Sequence, residues 1–141
     1  MTINEIQDKI IDEFSVFDDW MDKYSYLIDL GKDLPPIDAS KKDEAHLISG
    51  CQSRVWINAE MHDGKIFFTA DSDAVITKGI ISLLIRTYSR HTSDEILNAD
   101  LYFINHIGLK ENLSPTRANG LLAMIKQIKL YALALKTEQN G

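Results

Sequence analysis

Residues 54–71 carry the period-two pattern of a β-hairpin. Val55, Ile57, Ala59 and Met61 alternate with Arg54, Trp56, Asn58, Glu60 and His62, as in a half-buried strand. Asp63-Gly64 is a type I′ turn signal, and Lys65–Asp71 returns with Ile66, Phe68 and Ala70 on one face. A short first strand is predicted at Ala45–Ile48, which makes a sheet of about three strands. Ser49-Gly50-Cys51-Gln52 then forms the turn into the second strand, with the cysteine at a loop tip.

Outside this region the apolar spacing is helical. Thr2 and Glu5 match a capping box, followed by Ile3, Ile6, Ile10, Phe14 and Phe17 at intervals of three and four. Asp18 or Asp19 caps a second helix with Trp20, Tyr24, Leu27 and Ile28, stopped by Gly31. Leu34-Pro35-Pro36 forces an extended stretch. Asp73 is the expected N-cap of a central helix over residues 74–90, apolar on more than one side. Thr92 and Glu95 open a short helix, residues 100–109 are less regular, and Ser114-Pro115 starts the last helix. Its apolar stripe is Leu121, Ile125, Ile128, Ala132 and Leu135. Helices segregated from a small antiparallel sheet make the class α+β. No repeat or long linker interrupts the 141 residues, so one domain over 1–141 is expected.

Charge and composition narrow the function. The chain carries a net −6, unevenly spread: residues 1–44 hold 12 acids against 5 Lys/Arg (−7), residues 45–141 hold 9 against 10 (+1). Without a basic stripe there is no counterion release to drive nucleic-acid binding. The apolar stretch at Val75–Ile85 is broken by Lys78 and falls short of the roughly 20 residues a membrane span needs. The acidic, amphipathic N-terminus is unlike a signal peptide, so the cytoplasm is the expected compartment, where a free thiol stays reduced. One cysteine excludes an internal disulfide framework and any Cys-rich metal site.

Cys51 is therefore either a packing residue or the working atom. Gly50 permits unusual backbone dihedrals, while Gln52 and Ser53 place polar groups just before a strand. A reactive thiol here needs help from Arg54, Arg117 or backbone N–H groups, because the thiolate is the nucleophile. A Cys/His hydrolase has no base marked by spacing, since His46, His62, His91 and His106 are scattered. There is no histidine pair or Cys-x-x-Cys for a metal, and no glycine-rich phosphate loop. Gly79 and Gly120 read as helical glycines that allow close packing. Asp71-Ser72-Asp73 is a strand exit with a helix cap, or a carboxylate pair for acid–base work. Arg117 sits in a first helical turn against the dipole, either solvated or held to meet an acidic partner or the thiol.

Three segments resemble one known family. His46 to Trp56, reading HLISGCQSRVW, is similar to the cysteine motif of the SufE-like sulfur acceptors. Ala70 to Gly79 resembles the family's second motif and Leu113 to Leu121 its third, in the family's order. Ala70, Arg54 and Thr116 stand where glycine, glutamine and serine are frequent; Arg54 adds a fixed charge that bears on affinity for a desulfurase. The resemblance implies a SufE/NifU-like fold without the three cluster-binding cysteines of NifU-related scaffolds. It implies that Cys51 takes sulfur as a persulfide from a pyridoxal-phosphate cysteine desulfurase (SufS-like), stimulates it and passes the sulfur to the Suf scaffold complex.

On this view the chain has no cofactor or metal of its own and no independent turnover. It works as a monomer or weak homodimer. Gly50, Gln52, Ser53, Asp73 and Arg117 support the loop or the docking face. Cys51 is expected to rest in an apolar recess and swing out on docking, with Gly50 as hinge. The alternatives are a regulator that binds a desulfurase with Cys51 inert, a carrier for a paralogous desulfurase system, and a free-standing thiol hydrolase.

Overall fold

Side-chain caps set the helical framework of the computed structural model, which describes residues 1–140. Thr2 and Glu5 close a reciprocal capping box at the start of α1 (Ile3–Phe14), with bonds of 3.0 and 3.1 Å. Of the two candidate aspartates, Asp19 caps α2 (Trp20–Gly31) by accepting from the Asp22 N–H at 2.9 Å. Gln7, fully buried on α1, donates to the Asp100 carbonyl and accepts from the Phe103 N–H. Both ends of its amide are thus satisfied, which removes the cost of burying it.

The hairpin forms as its alternation predicts. β1 (Val55–His62) pairs antiparallel with β2 (Lys65–Ser72), in register from Val55 opposite Ser72 to His62 opposite Lys65. Asp63 and Gly64 take φ of 52° and 80°, the two positive values a type I′ turn requires. Val55, Ile57, Ile66, Phe68 and Ala70 are buried together. A two-stranded ribbon is marginal alone, and the helices cover its apolar face.

The sheet has two strands, not about three. Asp43 caps a 3-10 turn at Glu44–His46. Beyond that turn, Leu47 and Ile48 pair with β1 only through one isolated bridge, Leu47 to Trp56, and the Ile48 N–H to Val55 carbonyl bond at 2.8 Å. The other sheet edge is covered in the same piecemeal way. Ala70 donates to the Pro35 carbonyl, Phe68 to the Ser89 hydroxyl, and Ile66 to the His91 carbonyl. Such partners blunt an edge without adding a strand.

The central helix α3 (Val75–Tyr88) is shorter than 74–90, and Asp73 does not cap it. Ala74 occupies the N-cap position and offers no side-chain bond. Gly79 lets α3 approach α2: a Cβ there would lie 2.2 Å from the Leu27 carbonyl oxygen. Thr92 and Glu95 form a second capping box on α4 (Ser93–Asn98). The irregular stretch contains the single-turn α5 (Phe103–His106), and α6 (Pro115–Asn140) completes the chain order. Tyr131 on α6 donates to the Ile57 carbonyl at 2.8 Å, holding the helix against β1. One apolar cluster runs from Ile3 on α1 to Ala132 on α6.

Candidate functional site

The loop over residues 49–53 is pinned at both ends. Ile48 is tied to Val55, while Arg54 and Asp73 exchange two bonds: the Arg54 N–H to the Asp73 carboxylate at 3.0 Å, and the Asp73 N–H to the Arg54 carbonyl at 3.2 Å. The Ser72 hydroxyl also donates to the Arg54 carbonyl. Asp73 therefore serves the loop base and not the helix start. Between the pins Gly50 has φ +94°, a backbone state that disfavours any side chain. Its Cα also faces Ala123, where an added Cβ would meet another at 3.3 Å.

This backbone course turns Cys51 inward, against α6. The thiol is half-buried and donates to the Gly120 carbonyl at 3.6 Å. A Cβ added at Gly120 would lie 3.4 Å from Sγ, in van der Waals contact with it. Burial pushes the Cys51 thiol up from its ordinary value, and burial is the sole cause. Neither Arg54 nor Arg117 holds the resting sulfur as thiolate, contrary to the help expected from them.

A cavity of about 310 Å³ opens beside the sulfur. Buried Ile80 and Met124 form its floor, with Thr77 beside them; exposed Gln52, Thr116 and Arg117 form its rim. The recess is therefore mixed, apolar below and polar above, where an apolar one was expected. Ser114 accepts from the Arg117 N–H at 3.2 Å, which caps the first turn of α6 and fixes the rim.

Cys51, Gln52, Ser53 and Arg117 line this one cavity, while Gly50 and Asp73 shape the loop from outside it. Only the Arg54 main chain takes part in the loop base; its side chain is exposed. Thr77, Ile80 and Met124 are cavity residues that motif reading passes over. They come from or adjoin the segments around 70–79 and 113–121 that resemble family motifs, so the spacing of those segments is the signal that points to them. Asp71 is held by Lys42 at 2.8 Å and Lys78 at 3.3 Å, and does not act with Asp73 as a carboxylate pair. Among the described residues no histidine lines the cavity, and no group of three His, Cys, Asp or Glu is placed to hold a metal.

Fold and site together define a small α+β protein with one half-buried thiol, carried on a glycine-bearing loop against a long helix. The chain belongs to the SufE family: residues 8–132 match the family described as "Fe-S metabolism associated domain". It is 40% identical over 127 residues to an uncharacterized SufE-like protein of Rhizobium etli, covering 86% of each chain. Against one of Rhizobium meliloti it is 38% identical over 130 residues, covering 89% of this chain and 93% of the other. The fold matches the solution structure of a hypothetical protein from Thermus thermophilus. The TM-score is 0.77 at 19% identity, over 94% of this chain and 96% of that one. Family membership associates the chain with iron–sulfur metabolism. No helix among the described residues is long and apolar enough to cross a membrane.

Proposed function

We propose that this chain is a sulfur acceptor and carrier, taking persulfide sulfur from a pyridoxal-phosphate cysteine desulfurase onto Cys51. The observation that carries the reading is the resting thiol: half-buried, held by the Gly120 carbonyl, on a loop pinned at both ends with Gly50 between. A carried persulfide is lost to stray thiols and oxidants unless shielded. A cavity of about 310 Å³ beside Sγ has room for a second sulfur atom.

The transfer is a thiol exchange. The Cys51 thiol loses its proton, and the thiolate attacks the terminal sulfur of the donor's cysteine persulfide. The donor's sulfur–sulfur bond breaks, its cysteine leaves as thiolate, and a new sulfur–sulfur bond forms at Cys51. No net oxidant or reductant is needed. Because burial raises the thiol's pKa, attack in the resting state is slow. Docking must swing the loop outward about Gly50, breaking one S–H to carbonyl bond. Arg117, on the rim, is placed to meet a carboxylate of the partner.

Delivery to the Suf scaffold complex, or to the acceptor of a paralogous desulfurase system, completes the cycle in a reducing compartment such as the cytoplasm. The chain itself turns nothing over.

The test compares wild type with Cys51→Ser in a cysteine desulfurase assay that follows alanine release. A carrier predicts stimulation by wild type and its loss in Cys51→Ser, with binding retained. Full stimulation by Cys51→Ser would instead make the chain a regulator with an inert thiol.

A further inference from the structure

Of the polar side chains that line the cavity beside Cys51, Thr77 alone is buried. It stands in the first turn of α3 and is 6% exposed. Thr87, ten residues along the same helix, shows the ordinary arrangement of a buried threonine: its hydroxyl donates to the Leu83 carbonyl, four residues back, at 2.8 Å. The Thr77 hydroxyl makes no such bond, and no other, among the described residues. Nor is it sealed away, since the sealed hydroxyls without a partner are those of Tyr88 and Ser93. Its oxygen therefore keeps an opening, and the space that Thr77 lines is the cavity. A buried hydroxyl left unpaired is costly and calls for a partner.

The resting thiol is not that partner, because it donates to the Gly120 carbonyl at 3.6 Å. A persulfide cannot keep this bond. Its inner sulfur carries no hydrogen, and its terminal S–H is a stronger acid than a thiol, so near neutral pH the carried sulfur is an anion. A carbonyl oxygen repels an anion, and the floor of Ile80 and Met124 offers it no donor. A charge buried without a donor is strongly disfavoured.

We propose that the Thr77 hydroxyl donates to the terminal sulfur of the persulfide on Cys51, and so holds the cargo in the cavity as its anion. The inference deepens the reading of Cys51 as a sulfur acceptor and rests on it. The Gly120 carbonyl then serves the empty thiol and the Thr77 hydroxyl the loaded one. The other hydroxyls around the cavity are wetter: Ser114 and Thr116 are exposed, and Ser53 is half-buried. A hydrogen bond to the anion lowers its pKa. The protonated persulfide, whose terminal sulfur is the form that thiols attack, becomes rarer, and the cargo lasts longer.

The experiment loads the full chain with inorganic polysulfide, which needs no protein donor. The Cys51 thiolate takes one sulfur atom and the polysulfide leaves one atom shorter; Cys51 is the one cysteine, so a single persulfide forms. The pH dependence of the persulfide anion's absorbance gives its pKa, and intact mass follows its loss to glutathione. Thr77→Val keeps the shape and removes the hydroxyl, while Thr77→Ser keeps the hydroxyl. Thr77→Val is expected to raise the persulfide pKa by about one unit and, above that pKa, to speed its loss about tenfold. Thr77→Ser is expected to stay near wild type. A Thr77→Val persulfide with wild-type pKa and lifetime overturns the proposal, and so do equal shifts in both variants, which would trace to shape. Either result, with wild type still taking sulfur from a cysteine desulfurase, leaves the acceptor reading intact. A wild-type chain that takes no sulfur from the desulfurase overturns that reading, and the proposed role of Thr77 with it.

Discussion

Cys51 is half-shielded at rest because of where the loop puts it. Its thiol loses solvent and gains only a carbonyl partner, so its pKa rises above that of an ordinary cysteine. Alkylation by iodoacetamide at neutral pH is therefore expected to be slower than for free cysteine. Its rate should climb with pH through a midpoint above the ordinary thiol value. A rate equal to that of free cysteine contradicts a shielded thiol. Gly50→Ala puts a side chain at φ +94° and against Ala123; it should cost about 1–2 kcal/mol of stability and speed alkylation as the loop releases. The special role of Gly50 is legible in the sequence, since glycine beside the key thiol predicts an unusual dihedral. For Asp73 the local pattern misleads: an aspartate before a helix reads as a cap, the family resemblance alone puts it among the loop-supporting or docking residues, and only three-dimensional proximity shows its carboxylate on the Arg54 N–H. Nor does a local pattern show that Gly120, 69 residues away, is the thiol's partner.

The elements with strong local chemistry form where the sequence predicts them. Both capping boxes, the Asp63-Gly64 turn and the Ser114-Pro115 helix start depend on neighbours within three residues. The third strand fails because strand pairing is a property of two segments. Ala45–Ile48 has one good bond to β1, and Asp43 draws the preceding residues into a 3-10 turn. The inward side of α6 is legible from its spacing: Leu121, Ile128 and Ala132 of the expected stripe are buried, while Leu122, Leu130 and Leu133, which lie off it, are exposed. Contact between elements also sets the cost of change. Gly79→Ala forces a Cβ to within 2.2 Å of the Leu27 carbonyl, so α2 and α3 must separate. Urea denaturation should show a loss of about 3 kcal/mol. Wild-type stability in this variant contradicts the tight α2–α3 crossing.

Across the molecule, one polar cluster ties three helices together. Arg86 on α3 makes a bidentate pair with Glu13 on α1, and Tyr26 on α2 donates to the same carboxylate at 2.6 Å. The Arg86 guanidinium holds the Glu13 carboxyl below its usual value against the opposing effect of burial, and Tyr26 adds to the lowering. The folded pKa of Glu13 is thus depressed. Its contribution to stability is present above the ordinary value of 4.5 and is lost as pH falls through the folded value. Glu13→Gln should cost about 1–2 kcal/mol at neutral pH, discounted for partial exposure. The difference from wild type should shrink in acid, which denaturation midpoints at several pH values check. A difference independent of pH contradicts an ionic role. This cluster leaves no mark in the sequence, because its members are 13, 60 and 73 residues apart.

Sulfur carriage by Cys51 comes down to one added atom, and the most direct measurement weighs it. The protein is incubated with a cysteine desulfurase, pyridoxal phosphate and cysteine, and its intact mass is read under non-reducing conditions. A Cys51 carrier gains one sulfur atom that a reductant removes, and Cys51→Ser gains none. No gain with any of several desulfurases, or an equal gain in Cys51→Ser, contradicts it.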